Sequence, residues 1–505
     1  MDRHEAAVDS ICSQIGRFYD SKLGFRVYHG STNSTRHAHF DQDAIVDVSA
    51  LNNIISIDQQ KQIAIVEPNV PMDALVRETM KVGLLPPVVM EFPGITVGGG
   101  FVGTAGESSS FKYGFFDRTV LSAEVVLANG QMVRASETSN QELFEGLRGS
   151  FGTLGVLTMV EMRLIHMQDH VEVTYHPTTS ISHAMETLQV STKDLETDYI
   201  DGILFSKNSG AIITGRLTSQ PPSSSPHPLC RFSRPWDEWF YIHAQHQSTR
   251  PDPTTELVPL QDYLFRYDRG AFWTGMYAFR YFMLPFTRLT RFLMDYFMHT
   301  RIMYHALHAS GHTDHYIIQD VALPAGNAGP FISWLADTMP MWPLWLCPLR
   351  RDARVSMGHP RAFTGTVGGS SADGSVFEGE YINVGVWGPY LAPEVEYVRA
   401  NRALENKVAE LGGLKWLYSR VFYTEDEWWK IYNREEYERL RGRFDASSLP
   451  SIWEKVRDRG KRRVAATGVK GWVKRIMLSN GLLSGAYGVW KAVRGGDYML
   501  RKKTA

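Results

Sequence analysis

Phe92-Pro93-Gly94-Ile95-Thr96-Val97-Gly98-Gly99-Gly100-Phe101-Val102-Gly103-Thr104-Ala105-Gly106-Glu107-Ser108-Ser109-Ser110 is the stretch on which the reading of this protein turns. It holds five glycines between residues 98 and 106 and hardly a charge. A backbone without Cβ atoms can approach a ligand closely and offer several N–H groups at once, so the expected guest is a diphosphate. Ordering so many glycines costs much backbone entropy, which a close contact would offset. The bland alternative is a glycine-rich loop that holds nothing.

Gly98-x-Gly100-x-x-Gly103 spells the fingerprint of a dinucleotide-binding βαβ unit. That unit needs a buried strand before the glycines, a helix after them and an acidic residue at the end of the next strand. The preceding Leu85-Pro86-Pro87-Val88-Val89-Met90-Glu91-Phe92-Pro93 carries prolines that argue against a central strand. The only suitably spaced acid, Glu124, falls inside the alternating run Leu121 to Ala128 rather than after it. An ordinary βαβ unit is set aside.

Outward from this stretch, 505 residues suffice for one to three domains and a large core, and 43% apolar with 21% charged residues is a globular composition. The net charge of −1 gives no general pull toward nucleic acid, but it hides an asymmetry. Residues 461–505 hold eleven Lys/Arg against Asp497 alone, leaving the first 460 residues at −11 and the tail at +10. Such a tail suggests an anionic surface as partner. Cys12, Cys230 and Cys347 are scattered and fit neither a disulfide framework nor a zinc motif, so a reducing compartment and no metal are expected. Met1 to Asp20 reads as an amphipathic helix rather than a leader, and no run of eighteen uncharged apolar residues is present.

Strands are expected at Ala44–Val48, Gln62–Pro68, Leu121–Ala128 and Met159–Ile165, with Asn129-Gly130 as a hairpin turn. Pro71 opens a helix over Met72 to Val82 that Gly83 ends. Residues 171–217 alternate strand and helix patterns, and Thr218 to Pro228 is a loop by composition. Residues 263–310 combine fourteen aromatics and six Arg with no Lys, and aromatic helices fill 394–459.

Several of these pieces together resemble one family. The polar loop at 29–36, Pro93-Gly94-x-Thr96-Val97-Gly98-Gly99, Tyr113-Gly114 and Gly152-x-x-Gly155 resemble the FAD-binding domain of the vanillyl-alcohol oxidase (PCMH) type. The likeness is nearer still to the Δ24-sterol reductase branch, the 24-dehydrocholesterol reductase and Diminuto/Dwarf1 proteins. It is carried by Gly106-x-Ser108-Ser109-Ser110, Lys112-Tyr113-Gly114, Val126-Leu127-Ala128-Asn129-Gly130, His315 to Val321, Trp345 to Pro348, Tyr381 to Gly385 and Glu427-Trp428-Trp429. It extends over roughly residues 20 to 455. Three features depart from the pattern: the family's amino-terminal hydrophobic anchor has no counterpart, Asn383 stands where an acid is usual, and the tail after about 460 matches nothing recognised.

The resemblance implies an α+β protein. Residues 1–170 would form a two-subdomain FAD-binding domain, 171–460 a larger α+β substrate domain with a helical C-terminus, and 461–505 a basic amphipathic tail. It implies FAD held by Gly30, Ser31, Thr32, Asn33, Ser34, Gly94, Thr96, Val97, Gly98, Gly99, Gly100, Gly103, Thr104, Gly106, Ser108, Ser109, Tyr113, Gly152, Gly155 and Val156. Relatives that bind FAD covalently do so through a His in the first loop. Asn33 takes its place here, so non-covalent FAD is expected, with His29 as the alternative attachment point. The implied activity is reduction of the C24=C25 bond in the aliphatic tail of a sterol, with NADPH as reductant, in sterol biosynthesis at the cytoplasmic face of the endoplasmic reticulum membrane.

An isolated alkene has no carbonyl to polarise it, so such a site needs a positioned acid and a dry pocket beside the flavin. Candidates are His315, Asp320, Glu380 and Tyr381, with Asn383 on one strand face with Tyr381 by period-two alternation. Each is open to a plain structural reading: a hydrogen-bonded histidine, an ion-pair partner or packing. Membrane contact is expected through 263–310 and through the tail, where Val469, Trp472, Val473, Ile476 and then Leu483, Ala486, Trp490, Val493 follow a helical stripe. The glycines among them weaken a free helix. Other readings are a soluble oxidase of the same superfamily acting on an alcohol or sugar, and a non-catalytic flavin-fold scaffold.

Overall fold

The computed structural model describes residues 2–30, 34–36, 40–310, 312–350, 380–458, 481–494 and 500–501. Runs of β-branched residues build two large sheets, beside three two-stranded ones among the described residues. The first is five-stranded and antiparallel, in the order Ile54–Asp58, Ile63–Val66, Val156–Arg163, Val120–Val126, Met132–Ser136. Its hairpin turns at Asn129-Gly130, where Gly130 takes φ +86°. The amino-terminal helix Asp2–Asp20 buries Val8, Ile11 and Ile15 against this part. Its His4 sits between Glu67 (2.9 Å) and Glu124 (3.0 Å), so Glu124 is a structural partner.

The second sheet has eight antiparallel strands in the order Thr254–Pro259, His170–Thr178, Ser209–Thr218, Tyr199–Ser206, Leu344–Arg350, Glu380–Pro389, Tyr316–Pro324, Leu414–Lys415. Alternation sorts its side chains into two faces. Ile317, Val321, Leu323, Leu344, Leu346, Ile382, Val384 and Val386 join Ala328, Phe331, Leu335 and Leu404 of the helices Ala325–Thr338 and Glu394–Glu410 in one core. Ile318, Ala322, Trp345, Cys347, Tyr381 and Trp387 face the other way and share a core with the first sheet. The helix Arg434–Arg443 returns to the turn that precedes strand Val156–Arg163: Tyr437 Oη donates to Thr153 Oγ1 (2.8 Å) and Arg441 to the Thr153 carbonyl (3.0 Å).

Three sequence expectations change. The glycine run is not a loop but a helix, Val97–Gly103, capped by Thr96, whose hydroxyl accepts from the Gly99 N–H at 3.2 Å. Packing explains glycine in a helix that propensity disfavours. A Cβ on Gly98 would stand 2.7 Å from Pro68 Cβ, and one on Gly100 would stand 2.6 Å from Met90 Cε.

Residues 263–310 are not one surface element. Tyr263, Arg266, Tyr267, Trp273 and Phe279 are buried, whereas Met283, Leu289, Leu293 and Tyr296 are 75%, 66%, 64% and 59% exposed.

In the tail, Gly481–Arg494 is a helix packed on Thr300–Ser310. Its glycines let the two backbones approach, because a Cβ on Gly488 would meet the Ala306 carbonyl oxygen at 2.5 Å. Ala486, Trp490 and Val493 face outward. Val469, Trp472, Val473, Ile476 and the side chain of Leu483 lie outside the described residues. No described helix is long and apolar enough to cross a membrane.

Candidate functional site

A cavity of about 320 Å³ lies between the glycine helix and the inner face of the eight-stranded sheet. Helical periodicity decides which glycines reach it. Val97 and Phe101 turn inward and are fully buried. Gly99, Val102 and Gly103 face the cavity, joined by Gly94, Thr96, Gly98, Thr104 and Gly106. Gly152, Gly155 and Val156 close the same wall, and Ser34 adds a hydroxyl. Gly30, Val97, Gly100, Ser108, Ser109 and Tyr113 are not among the lining residues, and Ser31, Thr32 and Asn33 lie outside the described residues. Ser108 and Ser109 act behind the wall, donating to Glu91 Oε1 (2.6 Å) and the Pro87 carbonyl (2.9 Å).

One end of the cavity is cationic. Arg36, Lys455 and His29 line it beside Phe151 and Gly152, which take the left-handed φ values +53° and +69°. Arg36 donates to the Lys455 carbonyl (3.2 Å) and lies 5.1 Å over the Phe151 ring. Lys455 Nζ donates to the Phe151 carbonyl. Burial, with Arg26 and Arg36 nearby, pulls Lys455 down to about 7, and burial beside Arg26 pulls Arg36 down to about 10. Neither cation meets a carboxylate among the described residues. Burial and Lys455 hold His29 near 4, a neutral imidazole whose Nδ1 is buried without a hydrogen-bond partner among the described residues. Cations crowded against their own like charge are relieved by an anion.

The other end is acidic and aromatic. Phe272, Tyr304, Trp345, Trp387, Trp416 and Tyr418 surround Glu91, Glu107, Asp320 and Asn383. Tyr418 Oη donates to Asp320 Oδ2 (2.5 Å), and Asn383 Nδ2 and Trp387 Nε1 donate to Oδ1 (3.3 and 3.4 Å). Trp416 Nε1 donates to Asn383 Oδ1 (2.7 Å). Burial pushes Asp320 up to about 6 against these hydrogen bonds. Glu107 is held well above the usual carboxylate range, first by burial and then by Glu91 and Asp320. Glu91 Oε1 accepts from Arg266 Nη2 (2.9 Å), which also donates to Asp201 Oδ2 (2.8 Å). Burial lifts Glu91 to about 7 despite that arginine. Burial in this largely apolar box therefore favours the protonated form of Glu107, and the nearby Glu91 and Asp320 push it the same way.

Of the sequence candidates, Asp320 and Asn383 come together in the cavity. Tyr381 shares their sheet face but packs between Leu349 and Pro324 in register, outside the lining. His315 precedes strand Tyr316–Pro324 and lies outside it, as does Glu380, which accepts from Thr192 Oγ1 (3.3 Å). Sequence reasoning missed Glu91, Glu107, Tyr304, Tyr418, Arg36 and Lys455. One of these left a signal: Glu107 is the single charged residue in the stretch from Phe92 to Ser110.

The lining of the cavity suits a guest with an anionic linker and a flat apolar ring: cations without a carboxylate partner among the described residues and open glycine backbone at one end, aromatic faces at the other. Comparison with known proteins agrees. Residues 6–136 match the FAD binding domain family. The Delta(24)-sterol reductase of Rattus norvegicus is 27% identical over 415 residues, covering 80% of this protein and 76% of the relative. That of Arabidopsis thaliana is 28% identical over 446 residues, covering 81% and 75%. Cytokinin dehydrogenase 1 of Arabidopsis thaliana is 29% identical over 154 residues, covering 30% of this protein and 26% of the relative. The protein is thus an FAD-dependent oxidoreductase of the vanillyl-alcohol oxidase type of fold, similar over four-fifths of its length to the Delta(24)-sterol reductases.

Proposed function

We propose that this protein reduces an isolated C=C bond in the aliphatic tail of a sterol, the C24=C25 bond, with NADPH as electron source and non-covalently held FAD. The observation that carries this reading is the polarity of the cavity, which runs from Arg36 and Lys455, neither of which meets a carboxylate among the described residues, to Glu107 and Asp320, two carboxyls that burial among aromatic rings shifts toward the protonated form. When bound, the flavin supplies a hydride from its reduced ring. The protein's own residues do the rest. Gly99, Gly103, Arg36 and Lys455 would hold the diphosphate. Glu107 donates a proton to the alkene carbon, and Asp320, poised by Tyr418 and Asn383, holds the local proton balance. Trp345, Trp387 and Trp416 exclude water and face the developing positive charge, which aromatic rings tolerate.

A sterol dissolves in bilayers, so access from a membrane completes the proposal. The helix Arg288–Met294 has no buried residue and exposes Leu289, Phe292 and Leu293. Met283 and Tyr296 flank it, and Trp490 and Val493 are exposed on the tail helix. Arg288, Arg291, Lys491 and Arg494 border these apolar groups, an arrangement suited to an anionic lipid surface such as the cytoplasmic face of the endoplasmic reticulum. Tyr304, on the helix that packs against the tail helix, reaches the cavity.

The test is anaerobic. Purified holoprotein is reduced with one equivalent of NADPH and mixed with a sterol carrying the C24=C25 bond in vesicles. Sterol-dependent return of the oxidised flavin spectrum, with saturated sterol as product, supports the proposal. Reoxidation by oxygen alone, with the sterol inert, rejects it.

A further inference from the structure

We propose that Cys230, His243 and Glu256 form a binding site for a zinc-class divalent cation, separate from the flavin cavity. The Cys, His and Glu donor atoms lie within 4.8 Å of one another, with His243 Nε2 3.0 Å from Glu256 Oε2. Each comes from a different element. Cys230 follows the 218–228 loop and donates its N–H to the Leu257 carbonyl (2.8 Å). His243 belongs to helix Phe240–Gln247, and Glu256 to the edge strand Thr254–Pro259. Tetrahedral zinc with ordinary bond lengths wants its donors about 3.3–3.7 Å apart, which side-chain rotation can reach from here.

The surroundings are those of a metal centre. His243 Nδ1 lies 3.6 Å from Glu238 Oε2, and Tyr175 Oη donates to Glu256 Oε1 at 2.7 Å. A carboxylate behind a histidine and a hydroxyl behind a carboxylate fix ligand orientation. The rings of Phe232 and Tyr175 stand 5.4 and 5.5 Å from the His243 ring. One thiolate, one imidazole and one carboxylate favour zinc over magnesium or calcium and leave a fourth position for water. The twelve-residue gaps between the three ligands match no zinc motif, because folding rather than local spacing gathers them. Occupied, the site reinforces the backbone pairing by which Pro228 and Cys230 cover Leu257 on the edge strand of the large sheet, a place where an uncovered strand is a liability.

Reduced, chelator-treated full-length protein is titrated with cobalt(II). The site predicts one equivalent bound with a sulfur-to-cobalt absorption, displaced by zinc(II). Cys230→Ser abolishes that absorption and Cys12→Ser keeps it. Glu238→Gln weakens binding by about 10- to 100-fold. A second readout needs no variant: zinc(II) slows alkylation of Cys230, mapped by mass spectrometry, and leaves Cys12 unaffected. Three results overturn the site: no stoichiometric cobalt spectrum, a spectrum that survives Cys230→Ser, or alkylation of Cys230 that ignores zinc. Each would leave His243 as an ion-pair partner of Glu238 and Glu256.

Discussion

Asp320 and Gly385 face each other in antiparallel register, and a Cβ on Gly385 would stand 2.7 Å from Asp320 Oδ1. The missing Cβ is what lets the Asp320 carboxylate lie over Gly385 within reach of Trp387 Nε1. Gly385→Ala is expected to push that carboxylate off its partners and lower sterol reduction while the bound flavin spectrum stays unchanged. Glu107→Gln and Asp320→Asn are each expected to cost about 10²- to 10⁴-fold in single-turnover sterol reduction, with flavin reduction by NADPH largely retained. Equal loss of both half-reactions would remove these residues from the proton-transfer role.

The pH dependence follows from Asp320 and from Glu91 at the same end of the cavity. Asp320 titrates near 6 and Glu91 near 7, both raised by burial. A raised folded-state value means that the associated stability is fully present below the unfolded carboxylate range and fades as pH rises through about 6 to 7. Alkene protonation weakens in the same direction. Stopped-flow reoxidation of the reduced flavin by sterol should slow from pH 5.5 to pH 8, and Asp320→Asn should flatten the lower limb. A rate that climbs over this interval would contradict the assignment.

The glycines divide into two classes with opposite outcomes. Gly98→Ala places a Cβ 2.9 Å from the Pro68 carbonyl, which is backbone and cannot rotate away, so a loss of about 1–3 kcal/mol is expected in urea unfolding. Gly103→Ala meets only Phe151 Cε1, at 3.8 Å, and should be neutral or slightly stabilising. Flavin affinity should nevertheless fall in Gly103→Ala if its backbone contacts the ligand.

Lys455→Met removes a cation that burial and like charge have pulled down to about 7. Apo-protein stability should hold or rise, since a buried cation with no carboxylate partner among the described residues is lost. Flavin affinity, by fluorescence titration, should drop about 10- to 100-fold, the worth of a charge-assisted hydrogen bond. Flavin released by acid or denaturant should be free in solution, and flavin retained on the polypeptide would instead mark His29 as an attachment point.

Leu289 and Leu293 are 66% and 64% exposed on one short helix. Leu289→Asp with Leu293→Asp should weaken cosedimentation with anionic vesicles by about tenfold or more. Thermal stability should change little, as for other surface positions. Unchanged sedimentation would place membrane contact elsewhere.

Local pattern makes the amino-terminal third legible. The strands at 63–66 and 120–126, the Gly83 helix stop and the Asn129-Gly130 turn all rest on periods of two and 3.6 or on a positive φ, which a short window of residues specifies. Asp320 and Asn383 can be named because recognisable segments surround them. The Gly98–Gly103 run reads as a loop yet folds as a helix, since propensity says nothing of Pro68, Met90 and Phe116 pressing on it from elsewhere in the fold. Lys455 beside Arg36, Tyr418 on Asp320, and Glu107 near Glu91 and Asp320 are pairings that adjacent residues do not imply. They exist because the large sheet turns one face to the glycine helix and the C-terminal helices return to close the far end. Charge and hydrogen-bond partners there are set by convergence of distant strands, and only the folded protein brings those strands together.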